Sequence, residues 1–163
     1  MKSKIGCVIM ASGIGKRFGS NKLMAEFRGQ TLSQITFELT DGDLFDRRVV
    51  VTRSKEVYEL AVQMGMEAIL HEFPYRNEAI RLGMDAMEEM DACIFCPCDQ
   101  PLLRRESLKN LIDMFRIKPQ KIIRLAWKER PGTPILFDKS CFKELCELPE
   151  KKGGSYLAET YSD

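Results

Sequence analysis

A glycine-rich loop that carries several cations follows the first apolar segment of the chain, and these residue types suit the binding of a phosphorylated ligand. The segment is Ile5–Ala11, and the loop after it holds Gly13, Gly15, Gly19, Lys16, Arg17 and Lys22. Glycine lets the backbone approach a ligand closely, and successive backbone N–H groups form a concave anion site. Lysine and arginine add the positive charge that binds a polyphosphate. The sequence therefore predicts a phosphate-binding loop after the first strand.

The spacing within this loop differs from the two commonest phosphate-binding motifs. A P-loop requires Gly-x-x-x-x-Gly-Lys-[Ser/Thr], whereas Lys16 is followed by Arg17. A dinucleotide fingerprint requires Gly-x-Gly-x-x-Gly and an acidic residue after the second strand. Here three residues separate Gly15 from Gly19, and the second apolar strand is followed by Arg53. Both motifs are excluded, and a basic surface loop without a ligand remains the alternative to a nucleotide site.

A carboxylate follows a second apolar segment, in a position that suits a metal ion. Asp99-Gln100-Pro101 comes directly after the predicted strand Ala92–Cys96. Mg²⁺ binds few protein oxygens and takes its other ligands from water and substrate phosphates. If the two strands lie in one parallel sheet, Asp99 faces the glycine-rich loop, and we expect it to hold Mg²⁺ against bound phosphates. The alternative is that Asp99 is a turn residue beside Pro101.

The elements that must position these residues alternate between strand and helix. The apolar pattern predicts strands over Ile5–Ala11, Arg48–Thr52, Glu67–Leu70, Ala92–Cys96, Lys121–Ala126 and Thr133–Phe137. It predicts helices over Thr31–Leu39, Lys55–Met64, Asn77–Met90, Arg105–Phe115 and Cys141–Leu148. Such alternation predicts an α/β fold with a mostly parallel sheet and helices on both faces. In that fold ligands bind beyond the carboxyl ends of the strands, where the glycine-rich loop and Asp99 both fall.

The bulk composition restricts the class of protein. The chain has 163 residues, 44% of them hydrophobic and 30% charged, which fits one globular domain. Its net charge of +1 gives no general basic field of the kind that nucleic-acid binders carry. No apolar run approaches the roughly 18 residues of a membrane span, and the N-terminus lacks a signal-peptide pattern. We therefore expect no nucleic-acid or membrane partner and a cytoplasmic location.

Six cysteines raise the question of a metal centre or disulfides. Cys93, Cys96 and Cys98 lie closest together, but side chains alternate between the faces of a strand, so Cys93 points away from the other two. Structural zinc usually takes four convergent ligands. The only histidine, His71, is in another element, where we expect it to line the end of a strand. We expect buried free thiols, which are common in protein cores.

Three spaced motifs resemble the molybdenum cofactor cytidylyltransferases, a branch of the MobA-like nucleotidyltransferases. The first is Met10-Ala-Ser-Gly13-Ile-Gly-Lys-Arg17-Phe-Gly19-Ser-Asn-Lys22, which matches the spacing of the family's nucleotide loop. The second is Asp99-Gln100-Pro101, the form that the metal motif takes in the cytidylyl branch. The third is Arg130-Pro-Gly132-Thr-Pro134-Ile-Leu-Phe137, similar to a family strand. The resemblance extends over nearly the whole chain.

The resemblance implies a three-layer, Rossmann-like fold of the nucleotide-diphospho-sugar transferase type and a Mg²⁺-dependent reaction. In that reaction the phosphate of molybdopterin attacks the α-phosphate of CTP, and pyrophosphate leaves. The implied catalytic residues are Arg17, Lys22 and Asp99, and Asp99 is the implied metal ligand. The implied nucleotide contacts are Ala11, Ser12, Gly13, Gly15, Arg17, Lys22 and Ala79. The implied pterin contacts are Gly132, Thr133 and Pro134, and a molybdenum hydroxylase is the implied recipient of the product.

The chain departs from the family pattern at three places. Ser12 stands near the expected base, where the cytidylyl branch usually has alanine and the guanylyl branch glycine. Asn77–Arg81 lacks the serine that the family has at the start of this helix. Glu150–Ser155 lacks the aspartate of the family's Gly-Asp-x-Gly-Ala-Arg motif, and the family's closing strand and helix do not follow it. We expect residues 1–163 to form one nucleotidyltransferase domain without those two elements.

Two other functions remain open at this point. A guanylyltransferase or a sugar-phosphate nucleotidyltransferase shares the same loop, so GTP is an alternative to CTP. The altered helix start and the short C-terminus also leave open a protein that binds or delivers molybdenum cofactor without catalysis.

Overall fold

The computed structural model describes residues 2–12, 22–128 and 130–161, and the side chains of Lys22 and Trp127 lie outside the description. Within these ranges the strands are β1 (Ile5–Ala11), β2 (Glu26–Phe27), β3 (Gln30–Thr31), β4 (Arg47–Thr52), β5 (Glu67–Leu70), β6 (Ala92–Pro97), β7 (Ile122–Trp127) and β8 (Arg130–Asp138). The helices are α1 (Leu32–Leu39), α2 (Lys55–Gln63), α3 (Arg76–Asp85), α4 (Arg105–Ile117), α5 (Phe142–Cys146) and α6 (Gly154–Thr160). None of the described helices is long and apolar enough to cross a membrane.

Six of these strands form one sheet in the order β5-β4-β1-β6-β8-β7. Strand β1 lies at its centre and pairs in parallel with β4 and β6, and β4 pairs in parallel with β5. Strand β8 is antiparallel to both β6 and β7. The two residues between β7 and β8 are too few for the crossover that parallel neighbours need, so these strands form a hairpin. The predicted mostly parallel sheet is confirmed, with β8 as the exception.

Side chains from alternate positions of each strand enter two separate cores, because neighbouring residues of a strand point to opposite faces. On one face, which we call the α3 face, Val8, Val51 and Phe95 pack against α3, α5 and α6. On the other, the α1 face, Ile9 and Ile94 pack against α1, α2 and α4. The protein therefore has the three layers that the resemblance implied, with helices on both faces of the sheet.

Local signals account for several helix ends. The Ser54 hydroxyl accepts a hydrogen bond from the backbone N–H of Val57, which caps α2. Gly65 follows that helix with a φ of +75°, a conformation that costs glycine nothing. The helix predicted over Asn77–Met90 is too long, since α3 ends at Asp85. Beyond it the backbone N–H of Ala86 bonds to a carbonyl three residues back, so this stretch continues as tight turns.

Three of these strands and helices, β2, β3 and α6, have no counterpart among the predicted ones. Strands β2 and β3 form a small hairpin around Arg28 and Gly29, which both have positive φ values of 54° and 87°. This is the backbone that a tight two-residue hairpin turn requires. Helix α6 begins at Gly154, which packs so closely on Phe95 that a Cβ atom there would lie 3.1 Å from the ring. The predicted helix over Cys141–Leu148 is reduced to α5.

The cysteine prediction is confirmed in its geometry. Cys93 belongs to the core of the α3 face, and Cys96 and Cys98 belong to the core of the α1 face. All six cysteines are free, and five of them are buried. Burial raises the pKa of Cys98 to about 12, so this thiol stays protonated at neutral pH.

Candidate functional site

A cavity of about 620 Å³ lies over the carboxyl ends of the parallel strands. Ser12 follows β1, Arg53 follows β4, and Asp99 follows β6, and all three line the cavity. Thr133 lines it as well, because antiparallel β8 brings its first half to the same edge of the sheet. This is the edge at which α/β folds bind their ligands.

The two faces of the sheet supply opposite walls of this cavity. Leu23, which follows the glycine-rich loop, belongs to the core of the α1 face and lines one wall. Tyr75 and Arg76, at the start of α3, line the wall on the α3 face together with Lys151 and Ser155. The segment after β1 therefore contributes to the wall on the α1 face. The starts of α3 and α6, with the residues just before them, contribute to the wall on the α3 face.

Ser12 and His71 form a hydrogen-bond chain at the end of β1. The His71 Nδ1 atom accepts a bond of 3.1 Å from the backbone N–H of Phe73, so the proton of the neutral ring is on Nε2. That Nε2–H donates to the Ser12 Oγ atom at 2.8 Å. The Ser12 hydroxyl in turn donates to the carbonyl oxygen of Val51 at 3.2 Å. With its proton committed, the Ser12 oxygen presents only acceptor capacity to the cavity.

The charge of Arg53 acts on the same corner. Burial lowers the pKa of His71 below its ordinary value, and the positive charge of Arg53 lowers it further. The imidazole is therefore neutral at neutral pH, in keeping with its role as an acceptor for Phe73. The Nε atom of Arg53 is buried without a hydrogen-bond partner among the described residues. A ligand oxygen in this corner would satisfy it, since orphaned buried donors are rare in folded proteins.

The Asp99-Gln100-Pro101 segment is joined to the first half of β8. The Gln100 side-chain amide donates to the Thr133 hydroxyl at 2.8 Å. Gly132 is held as well, because its carbonyl oxygen accepts a bond of 3.2 Å from the Arg124 side chain. The predicted metal residue and the predicted pterin-side residues therefore lie next to each other, although 33 positions separate Gln100 from Thr133.

The donor set of the cavity suits a metal that takes few protein ligands. Asp99 is the only carboxylate among the described residues that line it. No group of three histidine, cysteine or acidic side chains among the described residues has metal-binding geometry. One carboxylate beside a cavity that can hold phosphates fits Mg²⁺, which draws its remaining ligands from water and substrate oxygens.

The structure places the sequence-predicted residues as follows. Ser12, Asp99 and Thr133 line the cavity, and Ala11 ends β1 with its side chain buried and its carbonyl oxygen bonded to Thr52. Gly132 is partly exposed and Pro134 is buried. Lys22 begins the turn Lys22–Met24. Gly13, Gly15 and Arg17 lie outside the described residues.

Ala79 requires a correction. Its side chain is fully buried in the core of the α3 face, where a bound nucleotide would not touch it. Helix α3 starts at Arg76, and of its residues Arg76 and Ile80 line the cavity, whereas the Ala79 side chain packs in the core. Ala79 is therefore a packing residue of α3 in this structure.

Several cavity residues are absent from the sequence prediction. They are Arg53, Phe73, Tyr75, Arg76, Lys151 and Ser155. Arg53 carried a usable signal, because it directly follows a strand whose carboxyl end faces the cavity. Lys151 and Ser155 carried none, because only the tertiary packing of the segment before α6 brings them to this edge.

The fold and this site define the class of α/β proteins with a ligand cavity at the carboxyl edge of a mostly parallel sheet. Within that class, the chain belongs to the family described as the MobA-like NTP transferase domain, which matches residues 7–163. A Bacillus licheniformis protein named probable molybdenum cofactor guanylyltransferase is 32% identical over 108 residues, or 64% of this chain and 53% of that protein. The chain spans about half the length of the curated relatives it matches.

Solved structures share the fold. Rv0371c from Mycobacterium tuberculosis H37Rv superposes with a TM-score of 0.84 at 22% identity, over 98% of this chain and 84% of that chain. A structure of Rv0371C in complex with manganese, from the same organism, gives a TM-score of 0.78 at 18% identity, over 97% and 82%. At these identities the likeness concerns the fold alone.

Proposed function

We propose that this chain is a Mg²⁺-dependent nucleotidyltransferase that transfers a nucleotide from a nucleoside triphosphate to the phosphate of molybdopterin. The observation that carries the proposal is that Ser12, at the start of the glycine-rich loop, and Asp99 line one cavity. The name of the B. licheniformis relative supports the pterin substrate. The manganese complex of a protein with the same fold supports a divalent metal. We further propose that residues 1–163 act as one catalytic domain.

The proposed reaction exchanges one phosphoanhydride bond for another. An oxygen of the acceptor phosphate forms a bond to the α-phosphorus, and the bond between that phosphorus and the β-phosphate oxygen breaks, releasing pyrophosphate. Such a transfer depends on positioning and charge neutralisation more than on covalent catalysis. Bound Mg²⁺ supplies positive charge to the phosphate oxygens.

We assign each residue a role in this reaction, from its place in the structure for Asp99 and Thr133 and from the family resemblance for the residues of the glycine-rich loop. Asp99 holds the metal, and the backbone N–H groups around Ser12, Gly13 and Gly15 bind the triphosphate. Arg17 and Lys22 offset the negative charge that builds on the α-phosphate and on the departing pyrophosphate. Gly132, Thr133 and Pro134 border the pterin, because this part of β8 adjoins Gln100 and reaches the same cavity.

The identity of the nucleotide has two candidates. The curated relatives are named probable molybdenum cofactor guanylyltransferases, which favours GTP. The Asp99-Gln100-Pro101 sequence favours CTP through its resemblance to the cytidylyl branch. The presence of Gln100 gives only weak support for CTP, because its amide nitrogen already donates a hydrogen bond to Thr133. That bond accounts for the amide nitrogen without any contact to a cytosine, whereas the buried Gln100 Oε1 atom has no hydrogen-bond partner among the described residues.

The test is an assay of pyrophosphate release from purified protein with molybdopterin, Mg²⁺ and either GTP or CTP. We expect release with one nucleotide and a loss of about 100-fold or more in kcat/KM for Asp99→Asn, since a metal contributes several kcal/mol to such a transition state. Asp113→Asn, an exposed carboxylate on α4, is the matched control and should retain full activity. Binding of cofactor without release from either nucleotide would contradict catalysis and favour a delivery protein for a molybdenum hydroxylase.

A further inference from the structure

We propose that Arg76 and Lys151 form a second anion site, which binds the phosphomonoester of the acceptor on the cavity wall opposite Leu23. This inference rests on the proposed function for the identity of the acceptor. The existence of the anion site itself rests on the geometry of the α3-face wall.

The segment before α6 packs directly on the start of α3. The backbone N–H of Lys151 donates to the Asn77 side-chain oxygen at 3.2 Å. The Lys151 ammonium lies 5.3 Å from the centre of the Tyr75 ring. A Cβ atom on Gly153 would lie 2.4 Å from the Cδ atom of Arg76, so only glycine lets the two segments approach this closely. Two cations that are 75 positions apart in sequence are thereby brought to one wall.

This wall carries positive charge that the described residues do not balance. Arg76 and Lys151 both line the cavity, and neither makes an ion pair within 4.0 Å of a described carboxylate. Arg53 adds a third cation to the described lining, against the single carboxylate of Asp99. Like charges held together in a concave site repel one another and concentrate anions from solution. The arrangement is therefore suited to an anionic ligand.

The backbone at this point is held in a costly conformation. Lys151 has a φ of 70°, in the left-handed region that a residue with a side chain rarely adopts. The hydrogen bond to Asn77 and the tight contact of Gly153 with Arg76 hold it there. As a result, the Lys151 side chain starts from a fixed point next to α3 and reaches the cavity.

The proposed reaction gives this site a specific task. Two highly charged phosphates must come into contact, and their repulsion opposes the encounter. If the glycine-rich loop neutralises the triphosphate from the α1 side, cations on the α3 side can neutralise the acceptor. A phosphomonoester has three terminal oxygens, so Arg76 and Lys151 can each bind one and leave the third to attack. The Ser155 hydroxyl lines the same wall and can donate a further hydrogen bond.

The test is a calorimetric titration of the full chain with inorganic phosphate, which does not depend on turnover. One titration uses protein saturated with Mg²⁺ and a non-hydrolysable nucleotide, and the other uses nucleotide-free protein carrying Arg17→Gln, in which the loop site is weakened. We expect the Arg76→Gln, Lys151→Gln double variant to lower phosphate affinity about tenfold or more, because each charged hydrogen bond is worth about that factor. The control double variant Lys109→Gln, Lys143→Gln removes two exposed cations from α4 and α5 and should bind like the wild type.

The single variant Lys151→Gly guards against misfolding, since glycine accepts a φ of 70° without strain. It should weaken phosphate binding without lowering the unfolding midpoint. In the pyrophosphate-release assay, the Arg76→Gln, Lys151→Gln double variant should have a raised KM for the acceptor and an unchanged KM for the nucleotide. Unaltered phosphate affinity, or a loss of nucleotide affinity in its place, would overturn the proposal. A protein that binds no nucleotide but loses phosphate binding in the double variant contradicts the proposed function and supports this anion site.

Discussion

At the residue scale, the imidazole of His71 fixes the Ser12 side chain, which directly precedes the glycine-rich loop. His71 accepts from Phe73 and donates to Ser12, and Ser12 donates to Val51. The end of β1 is thus joined to the ends of β4 and β5 through side chains as well as through the sheet. The hydroxyl of Ser12, which the family pattern does not contain, has a structural partner in this chain.

The first prediction concerns the titration of His71. Its pKa is lowered by burial and by Arg53, so the folded protein binds this proton at a lower pH than the unfolded chain does. The stability that this difference provides is present above about pH 6.5 and is lost as the pH falls from there towards the lowered pKa. His71→Gln, which can keep one donor and one acceptor, should flatten the dependence of the unfolding midpoint on pH between about 7 and 5. As the only histidine in the chain, His71 gives one imidazole signal by NMR, and an ordinary pKa in that titration would contradict the prediction.

The second prediction concerns the bond between Gln100 and Thr133. Gln100→Met and Thr133→Val each remove it, and either should raise the KM of the acceptor about tenfold, because the first half of β8 is then held less firmly beside the pterin. The double variant should cost little more than either single variant, since both remove the same interaction. Neither change should alter the preference between GTP and CTP. A switch of nucleotide preference in Gln100→Met would show that this residue contacts the base.

At the element scale, the central strands β1, β4 and β6 were predictable because they are mostly buried and read as nearly continuous apolar runs. The bounds of β1 agree with the prediction, and β4, β5 and β6 differ by at most one residue. The end of α3 was not predictable, because the apolar pattern continues through Met87 and Met90, which remain buried although the helix has ended. Helix α6 was missed because two glycines at its start give no helical signal.

The residues of the candidate site were also predictable in part. Ser12 and Asp99 were predictable because each follows a strand of the central sheet. Arg76 and Lys151 were not, because their meeting depends on Gly153 and on the contact between α6 and the rest of the α3 face. The sequence pattern predicts which strand ends lie at the cavity. The cavity wall that holds Arg76 and Lys151 was not predictable, because it forms by packing between segments far apart in the chain.

The third prediction concerns the contact of α3 with the sheet. A Cβ atom on Gly83 would lie 2.6 Å from the Cγ1 atom of Val8, and Val8 is β-branched and fixed in the central strand. Gly83→Ala should therefore lower the free energy of unfolding by about 1–3 kcal/mol. Gly6→Ala also meets neighbours, but these are the side chains of Met87 and Met90, which adapt more easily. Urea unfolding should give a larger loss for Gly83→Ala, and a larger loss for Gly6→Ala would contradict this account of the packing.

At the scale of the whole molecule, the sheet separates two helical layers, and the cavity opens where those layers end at the carboxyl edge. The glycine-rich loop continues into the α1 layer, while Arg76 and Lys151 belong to the α3 layer. A transfer between two anionic substrates benefits from this arrangement, since each substrate can meet its cations on its own side. The central strands β1 and β6 carry Ser12 and Asp99 between the layers, and their position is fixed by two fully packed cores.

The fourth prediction tests that packing through the thiols. Five of the six cysteines are buried within the two cores, and only Cys146, on α5, is partly accessible. Burial raises the pKa of Cys93 well above the ordinary value and that of Cys98 to about 12. A hydrogen bond with Cys7, together with burial, raises the pKa of Cys96 well above the ordinary value, so the reactive thiolate form of all three is suppressed. A thiol reagent at about pH 8 should therefore modify about one cysteine in the folded protein and all six in guanidinium chloride.

Cys146→Ser should abolish the native-state reaction, whereas Cys141→Ser should leave it unchanged because Cys141 is buried. Rapid modification of several cysteines under native conditions would mean that the layers open in solution, and a cavity built between them would then lack the fixed walls that the proposed transfer requires.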